Sequence, residues 1–130
     1  MKTMEVYDPH TDTWQDGPMM AKGREGMCAA VHDGKIYMIG GVDSNEEPLR
    51  SIEVFDPMDL FWHTLQVQLP DAHGRGLGGC VSIKGKIYIA GGFVGDKVTA
   101  GGWEFDPTTA FFMPIQQLPS AAERFAVVGT

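Results

Sequence analysis

Apolar residues along this chain fall in short runs separated by glycine, proline and aspartate, and none of them settles into a sustained helical period. Residues 35–41 and 86–92 are apolar at nearly every position. A strand of that character has both faces covered, unlike one with a single wet side. Each is preceded by a run of small and apolar residues, 26–32 and 77–83, across the two-residue turns Asp33-Gly34 and Lys84-Gly85. Glycine there supplies the positive φ that tight hairpin turns demand. A third run carries Glu-Val-Phe-Asp and stops at an Asp-Pro turn. A fourth holds an aromatic and ends near the next proline, which cannot sit inside a paired strand. The pattern predicts four short antiparallel strands per unit, with variable loops at 42–50 and 93–101. The fold class is all-β.

The runs are copies of one another. Gly34-Lys35-Ile36-Tyr37-Met38-Ile39-Gly40-Gly41 returns as Gly85-Lys86-Ile87-Tyr88-Ile89-Ala90-Gly91-Gly92, offset by 51. Met4-Glu5-Val6-Tyr7-Asp8-Pro9 returns as Ile52-Glu53-Val54-Phe55-Asp56-Pro57, and again as Trp103-Glu104-Phe105-Asp106-Pro107. An aromatic follows each Asp by six positions (Trp14, Trp62, Phe112), and a proline then precedes an arginine: Pro18 to Arg24, Pro70 to Arg75, Pro119 to Arg124. Several kinds of marker recurring in one order identify an internal repeat of about 50 residues.

With its double glycines, Tyr37 and Tyr88, Asp-Pro turns, and Trp14 and Trp62, the chain resembles the kelch repeat, whose units form four-stranded β-propeller blades. The match covers essentially the whole chain. It departs from the pattern at Phe112, where a tryptophan belongs, and at Gly101-Gly102-Trp103, where a β-rich run fits better. The resemblance divides the chain into the end of one blade (3–18), a complete blade (24–69), a second complete blade (75–118) and the first strand of a further one (124–130). That is eleven strands and fewer than three blades, whereas propellers close with about 4–8. The chain reads as a segment of a longer propeller, with self-association through its exposed blade faces as the other way to cover them.

Composition narrows function mostly by exclusion. Ten Lys and Arg against 17 Asp and Glu give a net charge of −7, without basic clusters, so no nucleic-acid footprint and no attraction to an anionic membrane are expected. No apolar run reaches the roughly 18 residues of a transmembrane helix, and the N-terminus lacks the apolar stretch of a signal peptide. A cytoplasmic protein is expected. Cys28 and Cys80 are too few for a disulfide framework or a four-ligand zinc site. They read as two small buried residues in a reducing compartment. Their separation of 52 against the repeat offset of 51 places them on opposite sides of their strands, so no redox pair is expected.

Catalytic chemistry is not evident. His10, His32, His63 and His73 show no metal-ligand spacing. Asp8, Asp56 and Asp106 recur one per blade before proline, where their side chains accept turn N–H groups. Glu5, Glu53 and Glu104 recur in a structural or solvated role. The Gly74-Arg75-Gly76-Leu77-Gly78-Gly79 stretch has no following helix to aim donors at phosphate. No catalytic residue, metal or cofactor is assigned, and the chain is read as a non-enzyme.

The kelch resemblance implies a protein-interaction module that recruits a protein or acidic peptide through loops on one face, in some members as a ubiquitin-ligase adaptor. No BTB or F-box segment lies in these 130 residues. Other kelch propellers are oxidases, sugar-converting enzymes or carbohydrate-binding proteins, so a fragment whose active residues lie on other blades is the alternative. Antiparallel topology puts the loops after strands two and four on one face: 42–50 and 93–101, with 18–24, 70–75 and 119–124. Arg24, Arg75 and Arg124 fall at one position, just before each inner strand, and converge on the channel mouth. There they either pair bidentately with a ligand carboxylate or phosphate, or bond loop carbonyls or Asp and Glu of the adjacent blade.

Overall fold

The computed structural model describes residues 4–70, 79–91, 93–94, 97–98 and 102–115. They form twelve strands: β1 (Glu5–Asp8), β2 (Thr13–Asp16), β3 (Cys28–His32), β4 (Lys35–Ile39), β5 (Ile52–Asp56), β6 (Phe61–Thr64), β7 (Gly79–Ile83), β8 (Lys86–Ala90), β9 (Phe93–Val94), β10 (Lys97–Val98), β11 (Gly102–Asp106) and β12 (Phe111–Ile115). Two four-stranded antiparallel sheets, ordered β3-β4-β5-β6 and β7-β8-β11-β12, are the two blades, and β1-β2 is the two-stranded end of a preceding one. The opening strand expected at 124–130 lies outside the described residues. The loop after β8 holds a small β9-β10 hairpin that the sequence pattern did not announce.

Turn chemistry sets the strand registers. Asp33 and Gly34, and likewise Lys84 and Gly85, all have positive φ, the pair of left-handed residues that a two-residue hairpin turn of type I′ requires. At the Asp-Pro turns, Oδ1 of Asp8, Asp56 and Asp106 accepts the backbone N–H two residues on, each at 2.9 Å. The fourth residue after each of these aspartates, Asp12, Leu60 or Ala110, then turns left-handed. That geometry delivers the recurring aromatic opposite the one before the Asp: Tyr7 beside Trp14, Phe55 beside Trp62 and Phe105 beside Phe112. Their ring centroids lie 4.6–5.4 Å apart, the cross-strand contact that stabilises a sheet edge. Within the departing Gly-Gly-Trp stretch, Gly102 resolves in the same terms. Gly102 pairs with Ala90 on one side and Ile115 on the other, and a Cβ there would collide with the Ile89 carbonyl.

The core lies between the two blades. Tyr37, Ile39, Ile52 and Val54 from the first sheet meet Ile87, Ile89 and Phe105 from the second in one buried cluster. In the 51-residue register Ile87 and Ile89 answer to Ile36 and Met38, so the second blade buries the face opposite to the one the first blade buries. Adjacent blades stacked face to face must do this. The other faces, carrying Ile36, Met38 and Tyr88, are half-buried. Every apolar residue of the second strands is thus at least partly covered, as their two-sided character requires.

The cysteine expectation is overturned. Cys28 of β3 and Cys80 of β7 form a disulfide, with Cα atoms 5.7 Å apart. Cys28 pairs with Ile39 and Cys80 with Ile89, one position out of register, so they do point to opposite sides of equivalent strands. Opposite sides of successive blades are the sides that face each other across the seam. Opposite parity therefore brings the two sulfurs together in a stack of blades.

Candidate functional site

Two connections expected to share one face, residues 18–24 after β2 and 42–50 after β4, meet at the entry to β3. Glu25 and Val42 exchange both backbone hydrogen bonds, at 2.9 and 2.8 Å. Gly41 makes this approach possible: its φ is +91°, and a Cβ would come within 2.6 Å of the Glu25 carbonyl oxygen. Glycine's missing side chain explains why the second strand closes on this residue. Lys22, Gly23, Arg24, Glu25, Val42, Asp43 and Ser44 line a cleft of about 430 Å³ between the two connections.

Beneath the cleft lies a buried polar brace. The Arg24 guanidinium is wholly inaccessible and donates from Nη1 to the carbonyls of Gly40 and Ser51, both at 3.0 Å. Its Nη2 donates to Ser51 Oγ at 2.9 Å and to Glu53 Oε2 at 2.7 Å. Glu53, only 1% exposed, also accepts the backbone N–H of Ala21 on Oε1 and of Lys22 on Oε2. One ion pair therefore ties the incoming segment to the end of β4 and to β5. A buried charge pair is tolerable only with such accessory hydrogen bonds.

Arg24 braces carbonyls and a glutamate of its own blade, not of the neighbouring one. It is not presented to solvent as an anion-binding group. Arg75 and Arg124 lie outside the described residues. The Arg24–Glu53 partnership was missed although the signal was present: Arg24 to Glu53 and Arg75 to Glu104 span the same 29 positions. In the second blade, Glu104 Oε1 accepts the Tyr88 hydroxyl at 2.8 Å with Lys86 Nζ at 3.7 Å. That carboxylate contact, with burial, holds the Tyr88 phenol above its ordinary pKa.

The rim of the cleft is rigid for a loop. Asp43 Oδ1 accepts the N–H groups of Asn45 and Glu47, its backbone pairs with Glu47 and Glu46, and Leu49 N–H returns to the Gly41 carbonyl. Arg50 Nε and Leu69 bond reciprocally across to the segment leaving β6. Lys22, Glu25 and Asp43 line the cleft, with Glu46 and Glu47 on the adjoining loop, so this part of the rim has no cationic excess with Arg24 neutralised by Glu53. No group of three or more His, Cys, Asp and Glu side chains able to hold a metal occurs among the described residues.

The Kelch motif matches residues 23–66, which hold the first blade, and 74–110, which hold the second up to its last strand. An F-box/kelch-repeat protein of Arabidopsis thaliana is 33% identical over 94 residues, covering 68% of this chain and 23% of that protein. A second from the same plant is 32% identical over 105 residues, with 81% and 26% covered. Protein C13 of swinepox virus is 37% identical over 71 residues, with 53% and 14% covered. The chain spans about a quarter of the length of the plant proteins it matches. Among solved structures, that of YjhT superposes on 96% of this chain and 41% of its own with a TM-score of 0.79; at 14% identity this likeness concerns fold alone. Repeat markers, blade topology and motif matches agree, and the chain belongs to the kelch-repeat family as a segment of a β-propeller.

Proposed function

We propose that this segment recruits a protein partner through the face built by residues 18–25 and 42–50, as part of a larger propeller that serves as an adaptor in an F-box or comparable ubiquitin-ligase assembly. The observation that carries this reading is the cleft itself. Two connections from different blades meet over a buried Arg24–Glu53 brace, giving a stiff platform with a polar, self-bonded loop at its rim. Recognition commonly resides on loops held by such a scaffold. Similarity to F-box/kelch-repeat proteins supports the adaptor role by association, because fold and function are separable. The partner is a protein segment and the role is non-enzymatic. The described rim favours a polar or mixed-charge segment, so any preference for an acidic peptide rests on Arg75 and Arg124.

The test is site-specific photo-crosslinking in the full-length protein. Probes at Lys22 and Ser44 should capture a discrete partner, while probes at Met58 and Thr108, on turns at the opposite ends of the strands, should not. Capture from the Met58 and Thr108 positions alone would move the recognition face to the other side of the propeller.

A further inference from the structure

The chain has two cysteines, and both stand on the inner strand of a blade, joined across the seam. We propose that the Cys28–Cys80 pair is a thiol–disulfide switch that locks and releases the seam between the two blades. Among the described strands, the two blades' backbones come together only where β3 meets β7 and the adjoining β8, so the bond bridges their closest approach. Two positions further along each strand, on the same faces, stand Ala30 and Ser82. Neither is large enough to interlock the inner edge in place of the sulfurs. Both cysteines are half-buried at the margin of the core cluster, in contrast to a staple sealed among its fully buried residues, and partial exposure is what exchange with a small thiol requires. A Cα separation of 5.7 Å lies inside the range that a disulfide spans without backbone movement. The reduced thiols therefore remain placed for reoxidation.

The chemistry is thiol–disulfide exchange with a low-molecular-weight thiol such as glutathione. Its thiolate attacks one Sγ, forming a mixed disulfide and expelling the other cysteine as a thiolate, which takes a proton. A second glutathione thiolate attacks the mixed disulfide, frees the remaining cysteine and leaves as glutathione disulfide. Two electrons pass to the protein, and oxidation by glutathione disulfide reverses both steps. In the oxidised form, β3 and β7 are clamped. In the reduced form, the seam is held by apolar packing alone, and the inner strands open more often.

The full-length protein decides the matter when equilibrated in glutathione buffers from fully reduced to fully oxidised. Trapped by alkylation, the linked Cys28–Cys80 peptide should appear and disappear within that range. Hydrogen exchange of residues 28–32 and 79–83 should be about tenfold faster or more in the reduced protein, with β5 and β11 little changed. Cys80→Ser should show the reduced rates at every buffer setting. The wild-type comparison carries the decision should that variant fail to fold. A link that survives the most reducing buffer, one that never forms, or one that forms without altering exchange at β3 and β7 would each overturn the switch.

Discussion

Removing the Arg24 guanidinium leaves the Glu53 carboxylate inside the blade with two backbone donors but without its counter-charge. Truncating one partner of a buried pair costs about 3–5 kcal/mol. Arg24→Ala should therefore destabilise the full-length propeller by that order in denaturant unfolding. Arg24→Lys should recover only part of it, since an ammonium cannot span Gly40, Ser51 and Glu53 with a planar fork. Replacing Arg24 and Glu53 together by apolar residues of matching size should cost much less than either single truncation. A variant of Arg24 that unfolds like wild type would remove the brace from the account. Residue roles were legible here only as recurrence. The sequence showed that arginine and glutamate each return once per blade, but their contact depends on how the chain enters β3, which no spacing of apolar residues encodes. The turn aspartates were more legible, because an Asx turn is local and its acceptor and donor lie two residues apart.

Strands themselves could be located from the short and two-sided apolar runs because each of the ten in the blades and half-blade is bounded by a turn with its own chemistry. The β9-β10 hairpin escaped because two residues per strand are too few to display any period. At this scale the turns are the testable parts. Asp56→Ala deletes the acceptor for Met58 N–H, a net loss of about 1 kcal/mol, whereas Asp56→Asn keeps an acceptor in place and should be near neutral. The next turn residue, Asp59, accepts Phe61 N–H and pairs with His63 Nε2 at 2.7 Å. The Phe61 N–H chiefly, with His63 helping, holds the Asp59 carboxyl below its ordinary pKa. A carboxylate whose folded pKa is depressed contributes stability above its unfolded value and loses that contribution as pH falls through the folded one. The β5-β6 turn should accordingly loosen only in acid below the usual carboxylate range. Carboxyl NMR titration of Asp59 checks this, and a midpoint at or above the ordinary value would contradict it.

For the molecule as a whole, the decisive quantity is what two blades and a half leave uncovered. The seam between blades is sealed by Ile39, Ile52, Ile87, Ile89 and Phe105, yet Trp14 is 66% exposed and Val31 62%, with Val6, Tyr7, Phe111 and Met113 open as well. All eight residues of β1 and β2 are exposed, because that half-blade has neither inner strands nor a stacked neighbour among the described residues. Apolar faces of this kind are stable in a propeller because the next blade buries them, and this chain spans only about a quarter of the plant proteins it matches. Sequence flanking it in a longer chain would supply that cover. Taken alone, the 130-residue segment has to cover the same surface with another copy or leave it wet, with strand edges ready to pair. Its net charge of −7 opposes association at low salt and does so less as salt screens it. Sedimentation velocity of the isolated segment should therefore show mass rising with concentration, and more steeply at high ionic strength. A chain extended to whole blades on both sides should sediment as one species. A segment that stays monomeric at every concentration and salt, and unfolds in a single cooperative step, would mean that two blades and a half suffice, with the cross-blade disulfide doing what a closed ring does elsewhere.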